Sequence, residues 1–430
     1  KPETYHPEFF YTDANRKDVE GGLIVLGDND LTICLSNGIT DDGKLDTSMD
    51  ISVAKVVIEE LKKDIVAHPE VIYFNFDQED GHTKCMCERC TRFAEKYKRS
   101  GLLIRFCNVI ATELQKWADK ELNGRKIYVV TFAYSYTLDA PVKEENGVIV
   151  PIDPIVVPCD NLIMRMAIGR DNYYSYSDER QLPKSLKALR EWKCVGKRFF
   201  GWIYDALFDR YMYFNPSFHT IDDNVEVFLR LGMEYLMIQG SHASCGLWQA
   251  CMHSYVYMAK LWDSKLKATD LAEEFLEHYF GNRGKESVKK VIKMFYDFYN
   301  KAIPELKINI YACGNMPSKG LFPKELLLEV RRIVDQARKD NADNEPDAKR
   351  RMLYDKHFAQ VDLNAVFPLC EGYFLYFPEK TMDDYKSFEK EFFDICEYTG
   401  VTMYHEGYSV KQFAENNYNS FSFGQEIENE

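Results

Sequence analysis

Residues 71–90 read VIYFNFDQEDGHTKCMCERC: a hydrophobic strand ending in Asp77, Glu79 and Asp80, then a glycine, then Cys85, Cys87 and Cys90. Side chains alternate along a strand. Ile72, Phe74 and Phe76 therefore share one face, and Tyr73, Asn75, Asp77 and Glu79 share the other. A central strand of a parallel sheet is ordinarily apolar on both faces. Burying Asn, Asp and Glu in one row costs on the order of several kcal/mol unless each finds a partner. The polar row thus points to function. The bland alternatives are an acidic strand end feeding a solvated loop, or carboxylates paired with Arg165 or Arg170.

Outward from this strand, the first 260 or so residues alternate strand-like and helix-like segments. LTICLSN, VIYFNFD, KIYVVTFAY, NLIMRMAI, RFFGWIYD and EYLMIQG read as strands. Helical spacing runs through SVAKVVIEELKKDIVAH, LLIRFCNVIATELQKWADKEL, PKSLKALREWKCV and IDDNVEVFLRLG. This alternation predicts parallel βα units. No G-x-G-x-x-G or Walker-type loop follows a strand, which removes the main signature of a nucleotide-binding open sheet. Polar and aromatic residues gather instead at strand carboxyl ends, where a (β/α)8 barrel builds its active site. The expected fold is therefore an α/β TIM-type barrel. Six strands leave it two short, so the rest are expected upstream of Lys1 or within GGLIVLG and GVIVPIDPIVV.

Beyond Trp262 the segments TDLAEEFLEHYFG, ESVKKVIKMFYDFYNKAI, PKELLLEVRRIVDQARKD and YKSFEKEFFDICEYTG all have helical period. Acids come early and bases late in them, as the helix dipole favours. KDNADNEPDAKRR reads as a solvated connector. The expected organisation is a barrel over 1–265, N-terminally incomplete, and an all-α domain over 266–430.

A net charge of −14 argues against nucleic-acid binding, which needs Lys and Arg against phosphates. No apolar run is long enough to span a membrane, and no signal-peptide pattern opens the chain. Twelve scattered cysteines do not define a disulfide framework. The C-x-C-x2-C cluster could hold a structural zinc with a fourth ligand, for which His82 is nearest; reduced thiols or a disulfide are the alternatives.

Glycoside hydrolysis needs two carboxyl groups flanking one bond, one of them protonated. Neighbouring like charges raise one pKa and keep that proton available. Asp77 with Glu79 on one strand face meets this requirement, with no cofactor needed for catalysis.

QEDGHTKCMCERC, with HPEFF, LTICLSN and YMAKLWD, resembles a family of bacterial secreted glycosidase-like proteins, formerly of unknown function, that includes glycoside hydrolase family 163. The resemblance covers roughly residues 6–280. It implies a barrel similar to that of α-glucuronidases, a secreted, periplasmic or cell-surface location, and endo-β-N-acetylglucosaminidase activity on N-glycans. It also implies that the acidic pair before the cysteines is Glu79 and Asp80. Alternation favours Asp77 with Glu79, so Glu79 is the expected general acid/base, and which Asp orients the substrate acetamide stays open.

Asn75, Tyr134, Tyr136, Arg165, Trp202, Tyr204, Asp205 and Gln239 are the expected sugar-binding residues, because each lies on the polar row, in a strand, or near a strand end. His6 and His219 read more simply as structural. The expected function is a retaining, acetamide-assisted hydrolase of N-acetylglucosamine-containing glycans. The rivals are a uronic-acid or other exo-glycosidase and a non-catalytic carbohydrate-binding barrel.

Overall fold

The structure is a computed structural model and describes residues 4–5, 23–26, 30–78, 84–167, 169, 171–181, 183–241, 247–312 and 319–417. It comprises two compact units. One contains Lys1–Ile168, Pro183–Ile203 and Phe228–Met237; the other contains Gly169–Leu182, Tyr204–Val227 and Ile238–Glu430.

In chain order the first elements are β1 (Thr4–Tyr5), β2 (Leu23–Leu26), β3 (Asp30–Ile33), α1 (Val53–Ala67), β4 (Tyr73–Asn75), α2 (Glu88–Glu121) and β5 (Tyr128–Ala133). There follow β6 (Val142–Glu145), β7 (Val148–Pro151), β8 (Leu162–Ala167), α3 (Pro183–Val195), β9 (Phe199–Tyr204), α4 (Ile221–Leu231) and β10 (Met233–Gln239). Six strands form one sheet in the order β1-β4-β5-β8-β9-β10. The pairs β1/β4, β4/β5, β5/β8 and β8/β9 are parallel. This is a partial (β/α) barrel: among the described residues β1 and β10 are its edges, and no closed TIM barrel forms.

Five of the six expected strands lie in this sheet. The sixth, LTICLSN, does not. Its β3 pairs antiparallel with β2, which comes from the GGLIVLG stretch, in register Leu23↔Ile33. The VIVP of GVIVPIDPIVV likewise becomes β7, antiparallel to β6. Chain length explains both corrections. Parallel neighbours need a crossover of about a dozen residues or more, whereas short links permit only hairpins. Asn146 and Gly147, both at positive φ (52° and 78°), make the two-residue turn between β6 and β7.

The outer face of the sheet is dry. Phe74 and Phe76 are buried, and the Phe76 ring lies 5.4 Å from that of Phe106 on α2. Trp192 of α3 is also buried, and its Nε1 donates to Leu138 O at 2.7 Å.

The second unit is mainly helical, with α5 (Trp248–Trp262), α6 (Ala268–Leu306), α7 (Lys324–Asn344), α8 (Ala348–Glu371), α9 (Tyr373–Tyr376), α10 (Met382–Thr399) and the ribbon β11 (Met403–His405) with β12 (Tyr408–Ser409). Two of the expected helices merge into α6, broken at Gly281, whose φ of 74° suits a residue without Cβ. The expected connector KDNADNEPDAKRR is mostly helix; only residues 345–347 separate α7 from α8. Helix α8 was not among the expected helices, yet every residue from His357 to Glu371 is buried. Its neighbours include Phe295, Phe392 and Phe413, which join it in one core cluster.

Candidate functional site

The parallel register sets Asn75 beside Val130, Phe132 beside Arg165, and Ala167 beside Trp202. Alternation then puts Asn75, Phe132, Arg165 and Trp202 on one face, above a layer in which the Tyr73 ring meets Tyr128 and Phe200 at 5.4 and 5.2 Å. Arg165 is the centre of this group. Its Nη2 donates to Asn75 Oδ1 at 3.0 Å, and its Nη1 lies 3.7 Å from Asp77 Oδ2. Its guanidinium carbon sits 5.1 Å from the Phe132 ring and 5.8 Å from the Trp202 ring. Phe132 and Trp202 meet edge to face at 5.3 Å.

Burial dominates the electrostatics. Withdrawal from water pushes the Asp77 carboxyl up to about 7, against the downward pull of Arg165 and of the Phe132 backbone N–H. Burial also lowers the Arg165 pKa, and Asp77 opposes that shift. Charged partners in so dry a place interact far more strongly than at a surface. Arg165 Nε and Nη1 are buried and make no hydrogen bond among the described residues. The cluster is thus a carboxyl able to hold a proton near neutral pH, a buried guanidinium, an amide, and two aromatic faces.

Past the strand ends, Gln78 Nε2 donates to Tyr134 O at 2.9 Å, and Thr137 Oγ1 donates to Gln78 Oε1 at 2.6 Å. Lys84 Nζ lies over the Tyr136 ring at 5.6 Å, and burial raises the Tyr136 pKa. The turn bearing Tyr134 and Tyr136 is therefore held to both Gln78 and Lys84. Glu79, Asp80, His82 and Arg170 lie outside the described residues, as does His6.

Tyr204, Asp205 and Gln239 belong to the second unit. Asp205 is buried and accepts from Ser217 Oγ at 2.5 Å and from His253 Nδ1 at 3.1 Å. The Tyr204 ring meets Phe208 edge to face at 6.2 Å, and Gln239 Nε2 donates to Glu406 Oε1 at 3.4 Å. A small cavity beside Asp205 is lined by Tyr211, Ser241 and His253. Among the described residues, the Tyr211 hydroxyl, Ser241 Oγ and His253 Nε2 are all buried without a hydrogen bond. Sequence reasoning missed Ser217 and His253, because nothing in their spacing from Asp205 ties the three together. It also missed Phe132, which the register of β5 with β8 sets beside Arg165. His219 stays in a structural setting, its ring 5.4 Å from Tyr296.

The Sγ atoms of Cys85, Cys87 and Cys90 meet that of Cys34, all within 4.8 Å of one another. The fourth thiol comes from the end of β3, a segment the C-x-C-x2-C spacing could not reveal.

A parallel βα sheet whose charged and aromatic residues collect at strand carboxyl ends belongs to the α/β class that binds ligands on that side. More particularly, the chain belongs to the family described as Domain of unknown function (DUF4838), whose model matches residues 1–293. No curated protein matches the sequence. Among solved structures, the chain is similar to one described as "Structure of CpGH84B", at 11% identity over 84% of this chain and 67% of that one, with a TM-score of 0.31. A likeness of that size is too weak to carry an inference. Among the described residues, no helix is long and apolar enough to cross a membrane.

Proposed function

We propose that the protein is a retaining glycoside hydrolase acting on N-acetylglucosamine-containing glycans, related to glycoside hydrolase family 163 and working outside the cytoplasm. One observation carries this reading: a carboxyl at the carboxyl end of a parallel strand, Asp77, is pushed up to about 7 by burial beside Arg165. A carboxyl held there supplies one member of the pair that glycoside hydrolysis requires, and can share a proton with the second at neutral pH.

In the proposed reaction, the acetamide oxygen of the substrate attacks the anomeric carbon while Glu79 protonates the departing glycosidic oxygen. Asp77 or Asp80 accepts the acetamide N–H and so aims its oxygen. Water then opens the resulting oxazolinium ring, with Glu79 removing the water proton, and configuration is retained. Arg165, hydrogen-bonded to Asn75, pairs with Asp77; Trp202, Tyr134 and Tyr136 offer ring faces to the sugar.

The test is turnover of a fluorescently labelled N-glycan by the native chain and by Glu79→Gln, Asp77→Asn and Asp80→Asn, with and without a thiazoline mimic of the cyclic intermediate. Inhibition by the mimic, together with loss of turnover in Glu79→Gln and in one Asp variant, supports the reading. Hydrolysis of a glucuronide that the mimic leaves untouched would replace it with the uronic-acid alternative. Glycan binding without turnover in every form would leave a carbohydrate-binding barrel.

A further inference from the structure

We propose that Cys34, Cys85, Cys87 and Cys90 form a tetrathiolate zinc site that clips β3 to the start of α2. Four Sγ atoms, brought from segments 53 and 56 residues apart along the chain, lie within 4.8 Å of one another. Cys34 Sγ is 3.7 Å from both Cys87 Sγ and Cys90 Sγ. Zinc–thiolate bonds of ~2.3 Å in a tetrahedron place sulfur atoms ~3.8 Å apart, which matches this spacing. A disulfide would need ~2.05 Å, and all four cysteines are free. Buried thiols can also pack as small hydrophobes. That explains burial, but gives no reason for four sulfurs to converge on one point.

The surroundings suit a metal-bound thiolate cluster. Cys34, Cys85 and Cys90 are buried against Leu102. Cys87 caps α2, its sulfur accepting the Cys90 backbone N–H at 3.5 Å. The Ser36 hydroxyl lies 3.2 Å from Cys90 Sγ and can turn its proton to the sulfur. Such outer contacts orient metal ligands and spread their charge. Three arginines brace the same loops: Arg99 Nη1 donates to Cys85 O at 2.8 Å, Arg89 Nη2 to Ile39 O at 2.7 Å, and Arg105 to Thr40 O. These bonds fix the loops that carry the sulfurs. In loading, one Zn2+ forms four Zn–S bonds while four S–H bonds break, and the four protons leave to solvent. No oxidant or reductant is involved. A closed four-sulfur shell leaves no open position for substrate, so the role is structural.

The experiment measures zinc by plasma mass spectrometry in the full chain after gel filtration, and thiol state by mass spectrometry of alkylated, unreduced protein. About one zinc per chain, released when an organomercurial titrates the thiols, is the expected result. Cys34→Ser should cut the zinc content at least tenfold, whereas Cys194→Ser, at an exposed cysteine outside the cluster, leaves it unchanged. Cobalt exchange into the native chain covers the case in which Cys34→Ser fails to fold: intense visible bands of tetrahedral sulfur-ligated Co2+ support the site. Zinc-free protein that remains folded, with all four thiols alkylated or paired as disulfides, overturns it. None of these readouts depends on glycan hydrolysis, so either proposal can fail without the other.

Discussion

Helix α8 and the inner face of the sheet both bury polar side chains, but they treat them differently. On α8, each of the buried polar groups Gln360, Asp362, Asn364 and Glu371 is engaged. Tyr279 OH donates to Gln360 at 2.9 Å, and Arg331 reaches Asp362 at 3.4 Å. Asn364 accepts from Trp248 Nε1 and donates to Met212 O, both at 2.9 Å. Glu371 takes Arg210 Nε at 2.9 Å and Tyr213 OH at 2.7 Å. On the sheet, Arg165 keeps two buried donors without an acceptor among the described residues. Unsatisfied buried donors cost roughly 1–3 kcal/mol each, so a protein retains them where something else is to be bound. The network on α8 is closed; the one around Arg165 is open among the described residues.

The largest expected effect tests the open side. Asp77→Asn should lower glycan turnover by about 10²-fold, the scale of loss when a reacting group is misplaced, while circular dichroism stays native. If turnover persists, the contrast between the two regions loses its functional half. On the closed side, Glu371→Ala strands the Arg210 charge and should destabilise the chain by about 3–5 kcal/mol in chemical denaturation. A loss below about 1 kcal/mol would mean that the network is not closed in solution.

Third comes pH. Asp77 is raised in the folded state, so its proton is bound in both states below about pH 4 and in neither above about pH 7. The folded chain therefore loses stability relative to the unfolded one as pH climbs through that window, by at most roughly 4 kcal/mol. Calorimetric melting of Asp77→Asn should lack this decline, and parallel curves for variant and native chain would show that Asp77 is ionised throughout. The smallest effect is expected of Asn364→Leu, which orphans Trp248 Nε1 and Met212 O at a cost of about 1–3 kcal/mol.

Much of the sheet was legible because strand and helix periods differ and because polar residues interrupt otherwise apolar strands. Alternation around Phe74 and Phe76 sorted Asn75 and Asp77 from the outward residues, and the Arg165 pairing with them was foreseen as an alternative to catalysis. The β2–β3 and β6–β7 ribbons misled because apolar β-rich runs look alike in hairpins and barrels. Only link length separates them, and Asn146-Gly147 carried that signal. Helix α8 was invisible for the opposite reason: a helix buried on every side shows no amphipathic period. Cys34 and the Ser217–Asp205–His253 group depended on contacts across many residues, which spacing along a chain does not encode.

The continuous burial of residues 357–371 has a kinetic corollary. Amide hydrogens in such a segment have no shallow route to deuterium and exchange only when the surrounding helices open together. Deuterium uptake at α8 would thus report the cooperative opening of that unit, giving a clock against which slower or faster labelling elsewhere can be read.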